Sequence, residues 1–275
     1  MPDQKTYVVS GAASGIGAAT TERLRADGHR VVTVDLHDAG GQISVVADLA
    51  TEAGRRGALE GVLAAVGAAP VHGVVPAAGI GGFTGVDPAL VVSVNYFGAV
   101  ALVEGLRDRL AAAGSAGVVM LASNSITGQP GWDSGVAALC LKGDEPAARA
   151  AASQTEAVMV YPASKAGLAW WARREGVKPE WAGAGIRLNS VAPGKIATAM
   201  VEQLKADPVF GPLSESYPTA IGRDGRPEEI AAAIAFLLSD DASLIVGSVL
   251  YLDGGTDAIL HPISPEGWDV APVVL

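Results

Sequence analysis

Short, almost uninterrupted apolar runs alternate along the chain with longer Ala-, Leu-, Glu- and Arg-rich stretches in which apolar residues return every three or four positions. The runs at 6–10, 31–35, 43–47, 73–76, 118–122, 186–192 and 248–252 are of strand length, and the stretches at 15–27, 51–66, 89–113, 164–181 and 228–239 have helical spacing. Alternation of this kind predicts parallel strands joined by crossover helices. Runs such as Val31-Val32-Thr33-Val34 are apolar at successive positions, which suits a sheet covered on both faces. The expected fold is a doubly wound α/β domain of about seven strands spanning residues 1–275. In such a sheet, ligands bind beyond the carboxyl ends of the strands.

The segment 129–157 breaks this rhythm, being Ala-rich with short helical stretches and no strand. It reads as an insertion between a strand end and the next major helix, at the mouth of the expected ligand crevice. Composition narrows the function classes. With 49% apolar residues the chain can bury a core without staples. Cys140 is the only cysteine, so an internal disulfide and a cysteine-built zinc site are excluded and a reducing compartment is expected. No leader pattern and no 18-residue apolar run stands out, so a cytoplasmic protein with no membrane partner is expected. The net charge of −10 argues against a nucleic-acid partner. It does not argue against a dinucleotide, whose pyrophosphate backbone amides can hold.

Directly after the first strand comes Ser10-Gly11-Ala12-Ala13-Ser14-Gly15-Ile16-Gly17, opening an amphipathic helix. Close approach of a phosphate needs positions without a Cβ and a helix N-terminus with unpaired N–H groups, and Gly11, Gly15 and Gly17 supply both. The same glycines would serve a tight strand-to-helix turn. Asp35, 18 residues after Gly17 at the end of the second strand, is placed to accept from an adenosine ribose. No Lys or Arg adjoins it to welcome a 2′-phosphate, which favours NAD over NADP. Asp48 after the third strand is open to two readings, a contact to the adenine edge or a helix cap near Thr51.

Tyr161 and Lys165 stand four residues apart and share a face of any helix that holds them. Lowering a phenol from a pKa near 10 to about 7 takes roughly 4 kcal/mol of preference for phenolate. A cation about 4 Å away at an effective dielectric near 20 supplies an energy on that order. Lys165 is thus expected to make Tyr161 a usable acid/base. Pro162 is compatible with an early helical turn, where its missing N–H costs little.

The glycine loop, Asp35, Asn95, Ser125, Tyr161 with Lys165, and Pro193-Gly194 occur in the order seen in classical short-chain dehydrogenases/reductases, and the likeness runs from about Thr6 to Pro262. The resemblance implies a Rossmann-type fold, an NAD-dependent oxidoreductase, and hydride exchange between nicotinamide and a secondary alcohol or ketone. It makes Tyr161 the general acid/base, with Lys165 lowering its pKa and holding the nicotinamide ribose. Ser125, followed by Gly128 as in the family pattern, looks like the serine that orients the substrate oxygen, with Ser123 the competing choice. Asn95 looks like the asparagine that holds a water in the proton relay, although a buried helix asparagine bonding its own neighbours is the plainer alternative. Ser14, Ile16, Leu49, Ala78 and Gly79 are implied around the cofactor, and in Pro193-Gly194-Lys195-Ile196-Ala197-Thr198 the Ile196 backbone and Thr198 hydroxyl are implied at the carboxamide, the plainer alternative being a turn and helix cap that the same residues could form at the same time.

Two departures stand out. Pro76-Ala77-Ala78-Gly79 replaces the family's Asn-Asn-Ala-Gly, with no equivalent polar contact assignable, and 35 residues separate Ser125 from Tyr161 where about a dozen are usual. An insertion there is similar to that of the bacterial 3α-hydroxysteroid dehydrogenase/carbonyl reductase subgroup, which implies a hydroxysteroid or another bulky apolar carbonyl compound as substrate. The same chemistry on a terpenoid, a quinone or another cyclic ketone is the alternative, and a catalytically silent nucleotide-binding protein is the rival of another class. Trp132, Leu139 and Leu141 are candidates for a lid over such a substrate, or simply pack onto the body. Bulk before the Tyr161 helix would block a tetramer contact common in the family. A homo-oligomer is expected, preferably a dimer through 228–252 rather than a tetramer, and the tail 263–275 either covers a neighbour's site or lies on the surface.

Overall fold

The computed structural model describes residues 4–38, 40–215 and 217–262. Seven strands, β1 (Thr6–Ser10), β2 (Arg30–Asp35), β3 (Val45–Val46), β4 (Gly73–Pro76), β5 (Ala116–Leu121), β6 (Ile186–Pro193) and β7 (Val249–Leu252), form one sheet with the order β3-β2-β1-β4-β5-β6-β7. Every adjacent pair is parallel. β1, β4, β5 and β6 are buried at every position; β4 and β5 are apolar throughout, while in β6 the buried Arg187 and Asn189 donate to backbone carbonyls.

The helices are α1 (Gly15–Ala26), α2 (Glu52–Val66), α3 (Pro88–Val92), α4 (Ala99–Gly105), α5 (Arg107–Ala111), α6 (Ser125–Gly128), α7 (Ser134–Lys142), α8 (Glu145–Ala152), α9 (Ala157–Gly176), α10 (Ala199–Ala206), α11 (Gly211–Glu215), α12 (Pro227–Leu238) and α13 (Thr256–Leu260). One face of the sheet is covered by α1 and α12, through Leu24, Val119, Ile230 and Ile234. The other face carries the larger core, where Val62, Val103, Met120 and Leu168 pack from α2, α4, β5 and α9. The strand order reverses between β1 and β4, so the crevice opens at their carboxyl ends, beside the glycine loop.

Three elements differ from the sequence reading, each for a local reason. The third strand, expected over 43–47, shrinks to Val45–Val46 because the preceding residues bond to the Thr33 side chain instead of a backbone ladder. Thr33 Oγ1 donates to the Gln42 carbonyl at 3.1 Å and accepts from Ser44 N at 2.9 Å. The helix expected over 89–113 is interrupted by a π-turn at Ser93–Gly98, which holds Asn95. The apolar stretch Pro88–Gly105 is also long and apolar enough to cross a membrane, contrary to the sequence reading, yet two-thirds of it is buried inside the fold against the sheet and α9.

The third difference concerns α9, which begins at Ala157 rather than 164, so Pro162 lies inside it. A proline there leaves the carbonyl four residues earlier without its helical donor. That carbonyl belongs to Val158, and Gln129 Nε2 donates to it at 2.8 Å.

The insertion is a pair of short helices, α7 and α8, and it does not form a lid. It packs on α9 and α3, with Val136, Ala137, Cys140, Ala148 and Ala152 fully buried. Arg55 grips Glu145 with both guanidinium nitrogens at 2.6 Å, while Ser93 Oγ donates to Glu145 and Arg149 donates to Ser93 Oγ. Trp132 stacks obliquely on Trp170 of α9 and donates to the Ile126 carbonyl at 3.1 Å, and Leu139 and Leu141 rest on the main core. Helices with an apolar stripe bury it on the nearest apolar neighbour, and here that is the outer side of α9. The tail 263–275 lies outside the described residues.

Candidate active site

The glycine loop joins β1 to α1, and each of its glycines meets a separate demand. Gly11 and Gly15 have φ of 66° and 54°, which disfavour any side chain, and a Cβ at Gly17 would overlap the Gly11 carbonyl oxygen. A Cβ at Gly11 would come within 2.6 Å of Ala78 N, so the loop lies directly against the exit of β4. No side chain caps the N-terminus of α1, although Ser14 occupies the cap position, so its first amides face the crevice without an internal acceptor.

A cleft of about 490 Å³ opens there. Gly11, Ser14, Gly15, Ile16 and Gly17 line its floor, Asp35, Asp48 and Leu49 one end, and Ala78, Gly79 and Thr198 the other. Asp35 accepts from Ala13 N at 2.9 Å, which ties the end of β2 to the glycine loop. Asp48 accepts from Ala50 N at 2.9 Å, and Thr51 rather than Asp48 caps α2. The missing Asn-Asn pair has a substitute that the sequence reading did not find. Ser10 Oγ accepts from Ala78 N at 3.2 Å and the Ser10 carbonyl accepts from Ala77 N at 3.2 Å, joining β1 to β4. Loop, uncapped helix end and ribose-height carboxylate together fit a dinucleotide.

Tyr161 lies in the second turn of α9, half-buried, and lines a second pocket of about 180 Å³. Both candidate serines line this pocket, and it is Ser123 whose side chain bears on the phenol, drawing its pKa down against burial. Ser125 N and Ser125 Oγ both donate to Ser123 Oγ, at 3.2 and 3.0 Å. A hydroxyl has one hydrogen, so accepting twice leaves that of Ser123 for Tyr161. The sequence pattern favoured Ser125 because it counted back from Gly128; in the structure the chain turns into α6 at Ser125, directly after Ser123 and Asn124.

Lys165 is 5% exposed, donates to the Leu121 carbonyl at 2.9 Å, and stands 5.7 Å from the centre of the Tyr161 ring. The pair thus shares a face of α9, but the electrostatic expectation changes. Burial raises the Tyr161 pKa, partly offset by the Ser123 bond, and burial lowers that of Lys165 to about 8. Desolvation outweighs the ammonium because Lys165 is held toward the end of β5 and sits over the ring rather than at the hydroxyl. A Cβ on Gly79 would lie 3.5 Å from Lys165 Nζ, so only a backbone separates that ammonium from the large cleft.

Asn95 is fully buried, and its side chain holds the loop after β4. Its Oδ1 accepts from Ile80 N at 2.8 Å, and its Nδ2 donates to the Ile80 carbonyl at 3.0 Å and to Ser164 Oγ at 3.3 Å. Pro193 is buried and its carbonyl accepts from Asn124 N, while Gly194 lines the smaller pocket. The Ile196 side chain points away from the large cleft, into the core beside α12. Thr198 Oγ1 bonds the Ile196 carbonyl and caps α10, so its hydroxyl does serve the turn. Met200 lines both cavities, which therefore adjoin.

The profile of the enoyl-(acyl carrier protein) reductase family matches residues 147–257. The 3-alpha-hydroxysteroid dehydrogenase/carbonyl reductase of Comamonas testosteroni is 37% identical over 259 residues, covering 93% of this chain and 97% of its own. The chain belongs to the short-chain dehydrogenase/reductase family. Another relative in that family, the cis-4-hydroxycyclohexanecarboxylate dehydrogenase of Sinomonas cyclohexanicum, is 34% identical over 93% of this chain and 98% of its own. The crystal structure of the 3-alpha-hydroxysteroid dehydrogenase from Pseudomonas sp. B-0831 complexed with NADH superposes with a TM-score of 0.88 at 39% identity, covering 95% of this chain and all of that one. This short-chain dehydrogenase/reductase is accordingly an oxidoreductase that works with a nicotinamide cofactor. Beyond the family motifs, the pocket at Tyr161 draws on residues that the sequence reading missed: Phe83, Met200, Leu204 and Tyr217. They sit in loops and short helices without a readable period.

Proposed function

We propose that the protein interconverts a secondary alcohol and a ketone with NAD(H), on an apolar cyclic substrate of the hydroxysteroid kind, with Tyr161 trading the proton. One observation carries this reading: a phenol bonded by Ser123 and stacked under Lys165 faces an apolar pocket that adjoins the glycine-lined cleft. When bound, the nicotinamide supplies or accepts the hydride. Tyr161 and Ser123 hold the substrate oxygen between them. Burial keeps the phenol protonated at neutral pH, the state that hands a proton to a ketone oxygen as it becomes an alcohol. Lys165, Gly79 and Thr198 border the place where the nicotinamide end would lie, and Asp35 the ribose at the other end.

Phe83, Val158, Met200, Val201 and Leu204 make the pocket wall apolar. Its roof is formed by α10 and α11, and its volume is below the several hundred Å³ usual for drug-sized ligands, so the pocket as it stands holds the reacting ring of a substrate and not a whole steroid. The two named relatives that act on ring alcohols support the class. A cytoplasmic setting agrees with the lone, buried thiol of Cys140.

NAD is preferred over NADP because the Asp35 carboxylate stands where a 2′-phosphate would meet it, and no Lys or Arg lines the cleft among the described residues. The chain pairs as a dimer through α12 and β7, since α7 and α8 cover α3 and α9. The test is NADH against NADPH oxidation with a panel of cyclic ketones. Roughly tenfold or greater kcat/KM with NADH is expected from like-charge repulsion, and equal use of NADPH would contradict the assignment.

A further inference from the structure

Of the polar side chains that line the pocket, Gln129, Lys195 and Ser214 are tied to the protein itself, Gln129 Nε2 to the Val158 carbonyl, Lys195 to the Ser214 carbonyl and Asp224, and Ser214 Oγ to the Gly211 carbonyl, which leaves two polar places. One is the Tyr161–Ser123 pair. The other involves Tyr217 and Asn124, which line the same pocket and lie outside the machinery described above. Tyr217 Oη donates to Asn124 Oδ1 at 3.3 Å. Asn124 is only 4% exposed, and its Nδ2 has no hydrogen-bond partner among the described residues. Turning the amide over would give Tyr217 the nitrogen and leave the oxygen over instead. Either way one buried amide atom and one phenol lone pair are unused, and a buried polar atom left so is costly unless a ligand or water completes it.

The local chain is shaped around this hydroxyl. A Cβ at Gly128, in the last position of α6, would collide with Tyr217 Oη, so the glycine clears the space that the phenol occupies. Thr127 is held from behind by Asp257, accepting its hydroxyl at 2.6 Å, and by His261 at its carbonyl, which fixes the turn that carries Asn124. Burial, with Asp253, Tyr161 and Asp257 nearby, pushes the Tyr217 pKa up to about 12, so its proton stays in place through the working range.

We propose that Tyr217 and Asn124 form a second polar anchor in the substrate pocket, which takes a hydroxyl or carbonyl oxygen of the substrate other than the reacting one. This rests on the oxidoreductase reading and narrows it: the preferred substrates are apolar ring compounds bearing two oxygen functions. An amide with a spare atom and a phenol with a spare lone pair offer both a donor and an acceptor, so either kind of oxygen is served. In a pocket whose other polar side chains are bonded to the protein, such a pair decides which way round a ring enters.

The test compares decalone with decalindiones whose second oxygen lies at increasing separations, on the full chain, as Tyr217→Phe and Asn124→Ala variants and unmutated. Binding is measured by calorimetry with NAD+, under which ketones are not reduced. At least one dione is expected to bind the unmutated protein about tenfold tighter than decalone, the worth of one net hydrogen bond, and the ratio to fall near one in both variants. Comparable affinity for decalone and every dione in the unmutated protein would overturn the anchor. So would a preference that survives both substitutions, or an equal loss of affinity for both ketones that leaves the ratio unchanged. Turnover with NADH is scored separately. A dione preference without turnover of any ketone upholds the anchor and sinks the oxidoreductase reading, while turnover without the preference does the reverse.

Discussion

The hydrogen of Ser123 is directed by its neighbours, and that separates two serines which sequence spacing alone confuses. Ser125 spends its N–H and O–H on Ser123 Oγ, and in the proposed reading Ser123 bonds the substrate oxygen alongside Tyr161 while Ser125 orients it from behind. Ser123→Ala is therefore expected to cut kcat by about 10²-fold or more, the usual cost of removing one oxyanion donor. Ser125→Ala retains the backbone N–H bond and should lose no more than about tenfold. Steady-state kinetics of the two variants check this, and the reverse order of losses would restore the sequence-based choice. Tyr161 and Lys165 were legible because four-residue spacing on a helix puts two side chains on one face whatever surrounds them. The direction of their pKa shifts was not legible, because it depends on how deeply the pair is buried and on the Leu121 carbonyl, contributed by a strand 40 residues away in the chain.

The roof of the pocket is made of short elements held by side-chain bonds. Asp207, between α10 and α11, accepts from Thr84 N at 2.8 Å and Thr84 Oγ1 at 3.0 Å, and also from Val209 N and Phe210 N. It thereby joins the roof to the loop that follows β4. Burial would raise its pKa, but the bonds from Phe210, Thr84 and Val209 prevail and hold it down to about 2. A carboxylate depressed in this way contributes fully above its unfolded pKa and loses its contribution only as pH falls toward about 2, so the clasp stands throughout the neutral range. Asp207→Ala is expected to raise KM for bulky ketones roughly tenfold, with a smaller change in kcat, since it loosens the roof and not the reacting groups. An unchanged KM would show that the clasp does not hold the roof. Only α10 among these elements was signalled in the sequence, by Thr198 at its cap. Asp207 and Thr84 are 123 positions apart, and no periodicity connects them. The insertion was recognised as helical for the opposite reason, since its Ala-rich spacing is local, but where it packs is a tertiary fact.

On the scale of the whole molecule, the parallel sheet with its crossover helices followed from the alternation of apolar runs and helical stretches, because strands buried on both faces are mostly apolar, whereas the buried Arg187 and Asn189 of β6 are matched by carbonyls about 50 residues on that no local pattern reveals. Assembly is set by what the insertion covers and by what remains open. With α7 and α8 seated on α3 and α9, the free apolar surface includes Phe236 on α12, Leu244 in the turn between α12 and β7, and Leu250 on β7, which are 44, 96 and 38% exposed. Among the described residues β7 pairs only with β6, which makes it an edge strand of the described sheet. Analytical ultracentrifugation should find a dimer that Phe236→Glu dissociates, whereas a tetramer, or a dimer indifferent to that change, would contradict the assignment. The measurement that bears most directly on the account is NADH oxidation by Tyr161→Phe with a cyclic ketone, alongside NADH binding by the same variant. The phenol's proton is expected to be worth at least about 10²-fold in kcat, with NADH affinity unchanged because the glycine-lined cleft is untouched. Turnover at the unmutated rate in that variant would show that the proton comes from elsewhere.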